Sequence, residues 1–144
     1  MANVSKINGF KPVKHVNGSP YNGQANTYFV PSTDSTALFV GDVVKLAADG
    51  NASGYPQVTA ATAGTAGTGA AAVGVVVGVI NTKLDPITGK MTNGSISLDT
   101  PQYRPASTAQ YILVADATDV IYEVEATNGG SAYSFAVADI GQNA

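Results

Sequence analysis

Ala70-Ala-Ala-Val-Gly-Val-Val-Val-Gly-Val-Ile80 decides the fold class of this chain. From Val73 onward it is β-branched, uncharged and broken only by Gly74 and Gly78. Val and Ile are stiff at their first side-chain torsion and pack well on a pleated surface. A run this long, apolar on both faces, fits a central strand covered on both sides. Its glycines leave room for close packing from one side. A transmembrane helix does not fit, because the strongly apolar part is about half of the ~20 residues a span requires. The preceding Ala60–Ala72 stretch carries Gly64, Gly67 and Gly69, each costing about 1 kcal/mol relative to Ala in a helix, and reads as a loop.

Outward from this run, short β-branched and aromatic segments alternate with turn residues, the pattern of all-β domains. Strands are expected near Thr27–Val30, Ala37–Val40, Asp42–Leu46, Gln57–Ala60, Ala72–Ile80, Ser95–Leu98, Tyr111–Ala115, Val120–Ala126 and Ser134–Ala138. Gly41 marks a candidate bulge, and Ala48-Asp-Gly-Asn51, Asp85-Pro-Ile-Thr-Gly-Lys90 and Thr127-Asn-Gly-Gly130 are turn signals. Val120-Ile-Tyr-Glu-Val-Glu-Ala126 alternates, with Val120, Tyr122 and Val124 on one side and Ile121, Glu123 and Glu125 on the other, as a half-buried antiparallel strand does. The expectation is an all-β fold: a small β-barrel or jelly-roll-like β-sandwich of about eight strands over residues 28–144, preceded by an extended N-terminal arm, residues 1–27. The expected core is Leu38, Val40, Val43, Val73, Val75, Val77, Val79, Val114, Val120, Tyr122 and Val124.

Composition narrows the function. One domain is expected of 144 residues. Only 12% of the residues are charged, about half the usual ~25%. From Gly50 to Thr82 there is no charged side chain. The net charge of −3 lacks the clustered lysines and arginines of a nucleic-acid binder, so neither nucleic acid nor membrane is an expected partner. With no Cys there is no disulfide framework or thiolate metal site, and no apolar leader opens the chain.

Catalytic constellations are thin, and no catalytic, cofactor-binding or metal residues are assigned. Asp116, Asp119, Glu123 and Glu125 cluster, and Glu123 and Glu125 on a strand would stand about 7 Å apart, within the range of an inverting glycosidase pair. Spacing alone is weak evidence, and a solvated strand face is the better explanation. The single His15 lies in the irregular arm, a poor place for a triad. Gly67-Thr-Gly-Ala-Ala-Ala72 fits a dinucleotide fingerprint in letters only, since a strand follows it where a helix is required. Asn3, Asn17, Asn51 and Asn93 begin glycosylation sequons by composition. The seven Tyr suit core edges and interfaces, where an apolar ring and a polar hydroxyl are both used.

Two groups of residues carry a family resemblance. Thr36-Ala-Leu-Phe-Val-Gly-Asp-Val-Val-Lys-Leu46 with Ala72-Val-Gly-Val-Val-Val-Gly-Val79 resembles the barrel strands of tailed-bacteriophage head decoration proteins. Asp85-Pro-Ile-Thr-Gly-Lys90, Tyr103-Arg-Pro-Ala-Ser-Thr108 and Val114-Ala-Asp-Ala-Thr-Asp-Val-Ile-Tyr-Glu-Val-Glu125 resemble phage virion structural proteins in which such a turn precedes an alternating strand. The resemblance implies a non-enzymatic cement protein, made in the host cytoplasm and carried on the outer surface of the capsid. Its partners would be the major capsid protein and copies of itself, as a homotrimer in preference to a dimer. A carbohydrate- or receptor-binding virion module is the alternative. The arm is locally positive, with Lys6, Lys11 and Lys14 and no acid before Asp34. It is the expected capsid grip, with Lys6, Lys11 and Lys14 as charged contacts and Phe10, Val13, Tyr21 and Tyr28 as apolar anchors.

Overall fold

The computed structural model of the chain describes residues 9–61, 71–80, 82–84, 91–96, 101–125, 127–128, 131–132 and 137. The strands are β1 (Lys11–His15), β2 (Asn26–Val30), β3 (Val43–Gly50), β4 (Pro56–Ala60), β5 (Ala72–Ile80), β6 (Thr82–Leu84), β7 (Met91–Ile96), β8 (Gln110–Ala115), β9 (Val120–Glu123), β10 (Thr127–Asn128) and β11 (Ser131–Ala132). The fold is all-β. Five strands close into a barrel in the order β2-β4-β3-β5-β8, with β8 returning to pair antiparallel with β2. Among the described residues the seam between β2 and β4 is the one parallel contact, made at Phe29 and Gln57. Outside the barrel β1 pairs with β9, β6 with β7, and β10 with β11, each antiparallel.

Tyr28 and Val30 of β2, Val44 of β3, Val58 of β4, Val76 of β5, Ile112 and Val114 of β8, and Leu38 fill the barrel. This core matches the expected list at Leu38 and Val114, and Val75 is buried as well. Val73 and Val79 are partly buried and pack against this cluster. Val40, Val43, Val77, Val120, Tyr122 and Val124 depart from it. On β5 the pairing steps over Val73 against β3 and over Val77 against β8, so strict alternation fails: Val75 and Val76 are both buried while Val73, Val77 and Val79 are half-buried. On β3 the inward residue is Val44 and not Val43. Val120 and Tyr122 are half-buried, and Val124 lies beyond the end of β9, 49% exposed.

Residues 37–40 do not form the expected strand. Leu38 makes a single bridge to Arg104, and a turn closed by the Asp42 N–H on the Phe39 carbonyl follows, leaving Val40 51% exposed. Gly41, with φ of 99°, sits in this turn rather than in a bulge. The expected turn at Ala48-Asp-Gly-Asn51 falls slightly later. β3 runs to Gly50, and the Asn51 side-chain carbonyl accepts from the Ser53 and Tyr55 N–H groups to build the turn into β4. Pairs Leu84–Met91 and Asn128–Ser131 bracket the other two turn signals. The strand expected at Ser95–Leu98 begins earlier, at Met91, and that at Ser134–Ala138 falls almost wholly outside the described residues.

Close backbone approach explains Gly74. A Cβ there would stand 2.1 Å from the Ala115 carbonyl oxygen, so only glycine lets β5 and the end of β8 meet. Gly9 makes a second such contact, since a Cβ would lie 2.6 Å from the Gly41 carbonyl oxygen and its φ is +65°. The adjacent Phe10 N–H donates to that carbonyl, fastening the N-terminal segment to the barrel.

Candidate functional site

Residues 11–15, expected to lie in an extended arm that cannot bury itself, instead form β1 in a two-stranded ribbon with β9. The register sets Lys11 opposite Glu123, Pro12 opposite Tyr122, Lys14 opposite Ile121 and His15 opposite Val120. Val13 is stepped over as a bulge. Opposed residues of an antiparallel pair share a face, so the ribbon has two. Pro12, His15, Val120 and Tyr122 are half-buried on the inner face. Lys11, Val13, Lys14, Ile121 and Glu123 are exposed on the outer one.

A two-stranded ribbon is at best marginal alone in water, and this one is held to the barrel on its inner face. The Tyr122 hydroxyl donates to the Ala115 carbonyl at 2.8 Å, and the Phe10 ring meets Tyr122 edge-on at 6.5 Å. Its far end is tied by the Val16 N–H, which donates to the Asp119 carbonyl, and by His15 Nδ1, which lies 3.1 Å from Asp119 Oδ2. His15 therefore braces the ribbon.

The residues expected to grip a partner divide three ways. Lys11, Val13 and Lys14 stand together on the outer face of β1. Phe10 and Tyr21 instead line a groove of about 860 Å3 between the ribbon and the 39–42 turn, together with Pro12, Phe39, Val40 and Val77. Lys11 and Asp42 supply its charges, and Phe39 stacks on Tyr103 at 4.8 Å. Tyr28 is not an anchor: it belongs to the barrel core, and its hydroxyl donates to Asp116 Oδ2 at 2.7 Å. Burial, then that hydrogen bond and the Asp116 charge, push the Tyr28 phenol up to about 12. Burial also raises Tyr21 and Tyr122, with the charge of Asp116 adding in both. Lys6 lies outside the described residues.

The acidic cluster separates. Asp116 is committed to Tyr28 and to the Asn26 amide, both Asp116 oxygens lying 3.0 Å from Asn26 Nδ2. Asp119 holds His15. Glu123 and Glu125 are exposed, and Glu125 lies beyond the strand end, off the strand on which the two-residue spacing was expected. Among the described residues no three His, Asp or Glu side chains are grouped to hold a metal ion, and no helix is long and apolar enough to cross a membrane.

Sequence reasoning passed over the most constrained charged residue. Arg104, the only Arg, is fully buried. Its guanidinium donates to the carbonyls of Pro31, Asp34, Thr36 and Thr108, with Asp34 Oδ1 3.7 Å away. Burial pushes the Asp34 carboxyl up, but the Thr36 N–H, the Thr59 hydroxyl and the Arg104 charge outweigh it and hold the group below its ordinary value. This knot closes one end of the barrel. The signal in the sequence was a lone Arg between Tyr103 and Pro105 in a chain poor in charge.

No protein-family model, curated protein or solved structure matches this chain.

Proposed function

We propose that the chain is a virion structural protein that decorates the outer surface of a tailed-bacteriophage capsid and cements it by bridging major capsid protein subunits. The observation that carries this reading is the placement of the residues behind the family resemblance. Thr36–Leu46 supplies the first half of β3 and the turn before it, Ala72–Val79 supplies all but the last residue of β5, and the two strands pair directly in the barrel wall. Val114–Glu125 then runs from the last barrel strand into β9, the strand that carries β1 on its edge. A cement protein needs a rigid body and a projecting contact element, and here these are the barrel and the ribbon face with Lys11, Val13 and Lys14. Many identical contacts on one particle would give avidity from individually modest affinities.

The test is incubation of the purified protein with undecorated capsid shells. Saturation at a copy number commensurate with icosahedral symmetry, weakened by Lys11→Glu with Lys14→Glu and by salt, is expected. Binding that never saturates, or none at all, would overturn the reading. The aromatic-walled groove favours a second reading, a carbohydrate-binding virion module, because sugar rings stack on Phe and Tyr faces. Glycan-array binding lost on Phe39→Ala would select it.

A further inference from the structure

We infer that the outer face of the β1–β9 ribbon is a two-fold contact between copies of this chain. The face is apolar along its middle: Val13 is 42% exposed, Ile121 39%, and Val16 at its end 71%. Isolated exposed valines are ordinary, but these adjoin on a single ribbon whose register is fixed by the pairing with β9. The charges on the same face are of both signs and sit on different strands, Lys11 and Lys14 on β1 and Glu123 on β9.

That arrangement is self-complementary under one operation. A two-fold axis parallel to the strands lays two ribbons face to face and puts β1 of each copy over β9 of the other. Each Lys11 then meets the other copy's Glu123, and each Lys14 stem and Val13 side chain meets the other copy's Ile121. A two-fold interface repeats every contact twice, so two ion pairs close one end of an apolar strip. Turning the second copy end for end instead would set Lys11 against the valine end and leave Glu123 unmatched. A second copy thus satisfies the face where a uniformly acidic or uniformly basic partner would not.

The strip is short. Six residues at about 3.4 Å each give roughly 20 Å of length. The contact therefore covers far less than the ~800 Å2 per partner of a standard stable interface. It is a weak contact, populated when copies are concentrated or already held side by side. It occupies the face that the decoration reading gives to the capsid, so one copy uses that face for one contact or the other; the self-contact joins free copies and does not rest on the decoration reading.

The absence of Cys allows a direct test on the whole protein. Lys14→Cys and Ile121→Cys variants, made separately and mixed, are treated with a bismaleimide matched to the ~10 Å spacing of packed sheets. A mixed dimer is expected well above the level given by Ala52→Cys, which lies in the β3–β4 turn. Introducing Lys11→Glu into both partners replaces two attractions by two repulsions and lowers the yield about tenfold. Adding Glu123→Lys restores it. Cross-linking no greater than the Ala52→Cys control overturns the contact. Cross-linking that ignores the charge reversal overturns the proposed register and the inference with it.

Discussion

Replacing Arg104 by Met keeps most of the side-chain volume and removes every guanidinium donor from one end of the barrel. Arg104 serves four carbonyls. Pro31 O keeps a second donor in the Asp34 N–H, and Asp34 O keeps the Ser107 N–H. Thr36 O and Thr108 O lose the guanidinium that satisfied them. A buried polar group stripped of its partner costs about 1–3 kcal/mol, and the Asp34 carboxylate loses its counter-charge although Thr36 and Thr59 still bind it. Together these give roughly 3–5 kcal/mol, the range for breaking a buried pair by removing one member. Domains of this size are stable by only about 5–15 kcal/mol. With a urea slope near 2 kcal/mol per molar, the unfolding midpoint should fall by about 2 M. The assay is urea unfolding followed by far-ultraviolet circular dichroism and tyrosine fluorescence. Arg104→Lys, a single ammonium that cannot reach four diverging carbonyls, should lie between Met and the native residue. A loss below about 1 kcal/mol for Arg104→Met would refute the reasoning, since it would mean that neither the carbonyls nor Asp34 depends on the guanidinium.

Three further outcomes follow from the same contacts. Gly74→Ala should cost about 2 kcal/mol or more, because its Cβ would overlap main-chain atoms of Ala115 and Asp116, whereas Gly78→Ala, with Leu113 Cδ1 at 3.6 Å, should be close to neutral; thermal melts of the pair decide this. The Tyr28 phenol, pushed up to about 12, keeps its proton in the folded state while the unfolded chain ionises near pH 10, so stability is full below pH 10 and falls by roughly 2–3 kcal/mol as pH rises to 12. Tyr28→Phe should flatten much of that decline in alkaline denaturant titrations. Asp34 carries the opposite sign: its lowered carboxyl contributes stability above the unfolded value of about 4, lost as pH falls through the folded one. Asp34→Asn should be less stable than the native chain at pH 7, with the difference narrowing below pH 4.

The fold class was legible because Val73–Ile80 and the turn-punctuated segments around it admit no helix, and β5 matches the expected strand residue for residue. The facing of individual valines was not. A bulge at Val77 moves the inward position from Val76 to Val79, and a one-residue step exchanges the two faces of a strand. In Val43-Val44 both residues are apolar, so alternation could not choose between them. The arm misled for a different reason: Lys11–His15 is polar and holds a proline, yet forms a strand because β9, more than a hundred residues away, supplies an edge for it. Pairing at that distance leaves no local pattern, and the local signal, the Asn17-Gly18 turn that folds residues 19–21 back onto β1, was passed over. Tyr28 belongs to the same class, since it is buried where β2 pairs with the distant β8, beyond whose end Asp116 accepts from its hydroxyl.

The partnership of β1 with β9 also sets a clock. His15 and Asp119 are 104 residues apart in the chain, and barrel closure between β2 and β8 is nearly as distant. At about 5–20 residues per second, the ribosome needs roughly 5–20 s to deliver β9 after β1 has been made. Until then the lysine-bearing strand has only its local hairpin with residues 19–21, and the barrel has no closing strand. Non-local pairing of this kind is intrinsically slow and depends on late-arriving sequence. The ribbon face thus comes into being only with the closed barrel, so incomplete chains cannot display the surface through which finished ones would meet.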